Sequence, residues 1–151
     1  MKDLHLITVG KLSDRNIEEL EREYTKRLIS PKLYTHEVKS HAENLALEAK
    51  EVLAKIDDIS KNENPYIVLM AENGKQFSSI GFSQWLTQKS ESHCVVFVIG
   101  GAAGHGSAVI EKAHFKLSLS ELTYPHKLAR LLLVEQIYRA QTIKNGHPYH
   151  K

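Results

Sequence analysis

Short continuous runs of apolar residues alternate along the chain with stretches in which apolar residues recur every three or four positions. The runs at residues 4–9, 33–38, 66–70, 94–99 and 115–119 predict five buried strands. A helical stretch follows each run, and the last helix is predicted from Pro125 to Gly146, since proline favours a first turn and glycine ends a helix. This alternation predicts an α/β fold, a mostly parallel sheet with helices on both faces. With no repeat or linker in the pattern, we expect one domain over residues 1–151.

Small polar residues and turn sequences predict where the elements begin and end. The N-cap candidates of the first, third and fourth helices are Ser13, Ser78 or Ser79, and Ser107. The second helix is predicted over residues 42–56. Residues 72–75 read Glu-Asn-Gly-Lys, a turn sequence, so the third strand is expected to end at Met70.

Composition narrows the class of protein. The chain has 151 residues, 25% of them charged, and a formal net charge of +2, which is too small to indicate nucleic-acid binding by itself. The single cysteine, Cys94, excludes an intrachain disulfide framework and predicts a cytoplasmic protein. The chain runs from Met1 straight into a strand, so no signal peptide is expected, and no apolar run reaches the length of a membrane span.

Two loops follow the last two predicted strands. The first is Gly100-Gly101-Ala102-Ala103-Gly104, and the second runs from Leu119 to His126 and mixes apolar side chains with hydroxyl groups. Loops at the carboxyl ends of parallel strands are where open α/β sheets bind ligands, and glycine lets the backbone approach one closely. The glycine loop alone is more typical of a tight turn, because its spacing and position differ from the dinucleotide fingerprint. A nucleotide-binding oxidoreductase stays an alternative.

The last helix and the residues after it carry most of the remaining candidate chemistry. This segment contains five cationic residues and a single acidic residue, Glu135. A basic surface of this kind suits an anionic partner. For Lys144, a cation near the end of a solvent-exposed helix is an equally good explanation. His147 and His150 lack a third ligand nearby, so no metal site is expected. His150 and Tyr149 are also candidates to take or orient a proton, the alternative being a disordered terminus. The cations are Lys127, Arg130, Arg139, Lys144 and Lys151.

Several longer motifs resemble the ribosomal RNA large subunit methyltransferase H family, the minimal members of the SPOUT superfamily. The resemblance extends over the whole chain in length and element order, and its C-terminal motifs are long. These motifs are Phe97-Val98-Ile99-Gly100-Gly101-x-x-Gly104, Leu117-Ser118-Leu119-Ser120-x-Leu122-Thr123-x-Pro125-His126, Leu133-Val134-Glu135-Gln136-Ile137-Tyr138-Arg139-Ala140 and Pro148-Tyr149-His150.

The resemblance implies a minimal SPOUT fold with a C-terminal trefoil (α/β) knot, a homodimer, and S-adenosyl-L-methionine as methyl donor without a metal. It further implies methylation of N3 of a pseudouridine in 23S ribosomal RNA. In the family the donor lies between three loops. Carried over to this chain, the donor-binding positions are Met70, Gly100, Gly101, Gly104, Leu119, Ser120, Glu121, Leu122, Thr123 and Tyr124. Glu121 occupies a variable position of the family, so backbone contacts are expected there.

The same resemblance makes the end of the chain the candidate catalytic region. His150 and Tyr149 are the candidates for base or orienting group, since an imide N–H must lose its proton. Arg130 and Arg139 are expected to hold phosphates or the developing anion. The resemblance implies the assembled ribosome as the partner, and because the net charge is small we expect little activity on free rRNA fragments. The alternative is a non-catalytic RNA- or ribosome-binding protein with the same fold.

Overall fold

Five strands and five helices alternate without exception in the computed structural model, which describes residues 1–151. The predicted order of elements is therefore confirmed. The elements are β1 (Leu4–Val9), α1 (Arg15–Thr25), β2 (Leu33–Val38), α2 (Leu45–Ser60), β3 (Pro65–Lys75), α3 (Ser79–Ser92), β4 (Cys94–Ile99), α4 (Ser107–Lys112), β5 (Phe115–Leu117) and α5 (His126–Lys144).

All strands lie in one sheet of order β2-β1-β4-β3-β5, and every neighbouring pair is parallel. The central strand β4 is buried along its whole length, since it has a strand on each side and helices above and below. One core lies between the sheet and α1, α3 and α5, and a second lies between the sheet and α2 and α4. The predicted α/β class is confirmed. None of the five helices combines the length and hydropathy of a bilayer-spanning segment.

Three of the predicted helix starts differ from the structure. Asp14, not Ser13, caps α1, because its carboxylate accepts from Ile17 N–H while Ser13 has a positive φ of 48°. The second helix cannot begin at residue 42, because residues 42 and 43 also have positive φ, and Asn44 caps it instead. Gly106 precedes α4 as its N-cap, so Ser107 is already helical. The Ser78 cap of α3 is confirmed.

The turn predicted at residues 72–75 is wrong, because β3 continues as a bulged strand to Lys75. Met70 and Lys75 both pair with Leu117, so the residues between them loop out of the ladder. Gly74 is needed in this bulge, since a Cβ there would lie 2.7 Å from the Leu117 backbone. β5 ends at Leu117 rather than at residue 119. Both departures widen the irregular backbone at the carboxyl edge of the sheet.

Candidate functional site

A cavity of 440 Å³ opens at the carboxyl ends of β3, β4 and β5. Its volume is typical of a site for a small organic molecule. The three loops named from the sequence form its wall. The predicted residues that line it are Met70, Gly100, Gly101, Gly104, Leu119, Ser120, Leu122 and Tyr124, whereas Glu121 and Thr123 do not.

The glycine loop is both a tight turn and a wall of the cavity. Gly104 N–H donates to Gly101 O over 3.0 Å, and Gly104 has a φ of +88°. A Cβ at Gly100 would lie 2.5 Å from Gly104 O, so no other residue fits there without moving the backbone. These glycines can therefore serve both a tight turn and a ligand site, because the compact turn exposes its main chain to the cavity.

Hydroxyl groups close the second loop on itself. Ser118 Oγ donates to Ser120 O over 2.8 Å, and Ser120 Oγ accepts from Leu122 N–H over 3.0 Å. Ser120 Oγ also lies 2.9 Å from Tyr124 Oη. This bonding leaves the Leu122 side chain 69% exposed while it lines the cavity. A flat apolar ring placed there would contact Leu122 and Tyr124 and meet backbone polar groups at its edge.

His105 is a cavity residue that was not among the predicted donor-binding positions. Its Nε2 lies 2.8 Å from Met70 O, so the side chain joins the glycine loop to the end of β3. Burial lowers the pKa of His105, which keeps the ring neutral at neutral pH, with Nε2–H donating to the carbonyl. Its position directly after Gly104 was the only available signal.

The cavity also has polar side chains that were not among the predicted donor-binding positions. Glu72, in the bulge of β3, is the only carboxylate among the lining residues, and His126 lines the cavity from the start of α5. A single carboxylate in an otherwise apolar and neutral wall suits a ligand with a cationic group. No three His, Cys, Asp or Glu side chains come together in an arrangement that could hold a metal ion.

Arg130 lies inside the protein rather than in the cavity wall. It is 8% exposed, and its Nε and Nη2 donate to the two carboxylate oxygens of Glu21 over 2.8 and 3.0 Å. Nη1 donates to Glu37 over 2.7 Å. Burial alone would lower the pKa of Arg130, but its hydrogen bonds to both carboxylates raise it. Burial would raise the pKa of Glu37, yet the bonds from Arg130 and Leu12 N–H lower it. The guanidinium thus connects α5 to α1 and β2.

The chain end packs against α5. Tyr149 Oη donates to Glu135 over 3.1 Å, and its ring meets the Tyr138 ring edge-on at 4.9 Å between centroids. Arg139 binds Glu135 through Nε and Nη2 and donates from Nη1 to His150 Nδ1 over 3.0 Å. With Nδ1 accepting, a neutral His150 carries its hydrogen on Nε2. Burial, with Tyr24 and Glu135 close by, raises the pKa of Tyr149, so this phenol stays protonated at neutral pH.

Within one chain the structure does not bring this end to the cavity. The cavity reaches α5 only at its first turn, through His126 and Ala129. Arg139, which holds the chain end, lies about 15 Å further along the helix axis. Neither Tyr149 nor His150 lines the cavity. One chain therefore contains two separate groups of residues. The first is the set of loops that suits a small molecule, and the second is the set of side chains that suits proton transfer.

Comparisons with known proteins agree on the family. A family model described as "Predicted SPOUT methyltransferase" matches residues 1–150. A ribosomal RNA large subunit methyltransferase H from Enterococcus faecalis is 41% identical over 98% of this chain and 99% of its own. A protein of the same name from Prochlorococcus marinus is 43% identical over 97% of this chain and 94% of its own.

Solved structures with little sequence identity share the fold. A probable methylase family protein from Haemophilus influenzae superposes with a TM-score of 0.61 at 10% identity, covering 99% of this chain and 71% of its own. The SpoU methyltransferase AviRb from Streptomyces viridochromogenes, solved in complex with AdoMet, has a TM-score of 0.56 at 14% identity and covers 93% of this chain and 58% of its own. With a family match over almost the whole sequence and relatives above 40% identity, the chain belongs to the SPOUT methyltransferases and, among them, to the ribosomal RNA large subunit methyltransferase H family.

Proposed function

We propose that this protein transfers a methyl group from S-adenosylmethionine to N3 of a pseudouridine in 23S rRNA of the assembled ribosome. The observation that carries the proposal is the 440 Å³ cavity, walled by a glycine turn and two further strand-end loops, in a chain of this family. We further propose a cytoplasmic, single-domain enzyme over residues 1–151 whose C-terminal part forms a trefoil knot.

The cavity wall fits the parts of this donor. Backbone groups at Met70, Gly100 and the loop from Leu119 to Tyr124 would meet the edge of an adenine ring, with Leu122 and Tyr124 against its face. Glu72 would attract the ammonium or sulfonium group, as the only carboxylate in the wall. When bound, the donor supplies an electrophilic methyl group, and the protein supplies position and charge. No metal is required for this chemistry.

A homodimer would bring the two separate groups together. Since the chain end cannot line its own cavity, it would reach the cavity of a second copy. Leu128 and Leu132 on α5 are 43% and 38% exposed, and Leu122 at the cavity mouth is 69% exposed. A second copy would cover this apolar surface, which lies beside the donor loops. We therefore propose a site shared between subunits.

The chain end would then act on the target base. His150, with Arg139 at Nδ1, would present Nε2–H to a carbonyl oxygen of the pseudouridine, and Arg139 would favour the negative charge that develops as N3 releases its proton to solvent water. Tyr149, held protonated against Glu135, would position this pair rather than remove a proton. Arg130 would keep α5 in place rather than bind phosphate, because its guanidinium already donates to Glu21, Glu37 and Thr8.

Three measurements test the proposal. Calorimetry should show binding of S-adenosylmethionine to the purified protein, and its absence at millimolar donor would favour the non-catalytic alternative. Mass spectrometry of rRNA nucleosides from a deletion strain should show that N3-methylpseudouridine disappears. Ribosomes should be methylated far better than a naked stem-loop, since a chain of net charge +2 binds free RNA poorly.

A further inference from the structure

The carboxylate of Glu48, in the first turn of α2, has one oxygen with no hydrogen-bond partner. Glu48 is 4% exposed. Its Oε2 accepts from Ser40 Oγ over 3.1 Å and from His41 N–H over 2.9 Å, which ties α2 to the segment after β2. Its Oε1 is buried and accepts from nothing in the chain. A buried carboxylate oxygen that accepts no hydrogen bond destabilises the fold. Its presence therefore suggests a second arrangement of the chain in which a donor reaches this oxygen.

The glycine loop lies against this oxygen. A Cβ built on Gly101 would be 3.4 Å from Glu48 Oε1 and 3.3 Å from Val9 Cγ1. The next residue of α2 is also close to this segment, since Ala49 Cβ would lie only 2.8 Å from a Cβ on Gly106. Helix α2 therefore forms the rear wall of the glycine loop, whose other side lines the cavity. Glu48 and a bound ligand would contact the same backbone from opposite sides.

The loop also has donors to offer. Gly104 N–H closes the turn onto Gly101 O, whereas the N–H groups of Ala102 and Ala103 donate to no atom of the chain. The chain thus holds an unused acceptor and unused donors on neighbouring segments. A small shift of the loop toward α2 would pair them, and a ligand pressing on the cavity side would favour that shift.

We propose that Glu48 is a positioning residue of the donor site. When S-adenosylmethionine occupies the cavity, an N–H of the glycine loop donates to Glu48 Oε1 and fixes the loop in its ligand-holding shape. The inference rests on the proposed function, because it requires the donor to bind in this cavity. Glu48 does not contact the donor itself.

The substitution Glu48→Gln tests this role with little change of shape. Its carbonyl oxygen would replace Oε2 and keep the bonds from Ser40 and His41, while its NH₂ group would face the loop and could not accept. We expect about tenfold weaker donor binding by calorimetry, the change that follows from losing one hydrogen bond to a charged acceptor. Glu51→Gln is the matched control, because Glu51 lies on the same helix, pairs with His41 and loses the same charge away from the loop.

Hydrogen exchange of the loop amides separates a positioning role from a purely structural one, because a general loss of stability would not remove the effect of donor on these amides. Donor should slow exchange at residues 101–103 in the native chain and in Glu51→Gln, but not in Glu48→Gln. Equal donor affinity and equal protection in both variants would overturn the inference. A native chain that binds donor without slowing these amides would also overturn it, even if Glu48→Gln failed to fold. A native chain that binds no donor would overturn the proposed function first, and this inference with it.

Discussion

Replacing Arg130 by Met distinguishes a buried structural arginine from a phosphate-binding one. Met fills a similar volume but removes the arginine donors to Glu21 and Glu37, so that Glu37 keeps only the bond from Leu12 N–H. Glu21 would then remain 8% exposed with no cation beside it. The arginine side chain and that of Glu21 are each 10% exposed, whereas that of Glu37 is 34% exposed and would regain water. Most of the loss should therefore come from Glu21.

The magnitude follows from the burial of the pair. Removing one partner of a buried ion pair costs about 3–5 kcal/mol, because the other charge stays desolvated. For a protein of this size each kcal/mol lowers the melting temperature by about 2–4 °C, so Arg130→Met should melt about 6–20 °C lower. Arg130→Lys keeps the charge but loses the two-pronged contact with Glu21, and should cost about 1.5–3 kcal/mol.

Thermal and urea unfolding at one fixed protein concentration measure these losses, since a dimer would make stability depend on concentration. The double variant Glu21→Gln with Arg130→Met should recover part of the lost stability, because it no longer contains the buried, unpaired carboxylate of Glu21. A phosphate role gives the opposite pattern. Arg130→Met would then melt like the native chain, and its ribosome binding would lose about one unit of salt dependence. That result would refute the structural interpretation of Arg130.

Three further predictions concern the cavity, the chain end and acid stability. Gly100→Ala should abolish donor binding in calorimetry, because its Cβ would lie 2.5 Å from Gly104 O. His150→Ala should slow single-turnover methylation by about 10²-fold or more while donor affinity stays unchanged. Burial lowers the pKa of His5 and of His36 below 6.5, so the unfolded chain binds more protons just below that pH. The urea midpoint should therefore fall as pH drops from 7 through about 6.5, and this loss should end below the folded-state pKa values.

Each of these has a matched comparison. Gly146→Ala also replaces a glycine, but it lies outside the cavity and its Cβ would meet no atom within 4 Å. Its φ of +69° strains the substitution, so this variant should melt lower but bind donor normally, and loss of binding there would argue for a general effect of the substitution. Unchanged turnover in His150→Ala would remove this residue from the mechanism. For the acid effect, replacing both His5 and His36 by Gln should flatten the pH dependence, and an unaltered slope would contradict the assignment.

The alternation of strands and helices was predictable because it depends on local sequence periodicity. Burial in a parallel sheet requires continuous apolar runs in the strands and one apolar face on each helix. The strand order was not, since nothing in the pattern says that β4 inserts between β1 and β3. The bulge in β3 also could not be predicted from the sequence. Residues 72–75 have the composition of a turn, and only the pairing of Lys75 with Leu117, which is distant in sequence, returns the chain to the ladder.

The site was predictable to the extent that it is made of main chain. Glycines and a hydroxyl-rich loop at strand ends mark backbone that can meet a ligand, and most of the residues named from them line the cavity. Side chains were harder, because their partners are distant in sequence. Arg130 resembles a surface cation until Glu21, 109 positions away, is placed beside it. Glu48 gave no signal in the sequence, and His105 gave only its position after Gly104, since their roles depend on contacts with Gly101 and Met70.

The ion pairs of Arg130 also affect how the chain is made. Glu21 and Glu37 belong to the first elements to be synthesised, but the arginine that neutralises them is added 109 and 93 residues later. At typical rates of translation that interval is roughly 5–20 s. Throughout it, the nascent N-terminal portion has carboxylates that it cannot bury, and α1 has no α5 to pack against. Final folding therefore waits for the last helix to leave the ribosome, and chains terminated before α5 should be recognised by chaperones and proteases.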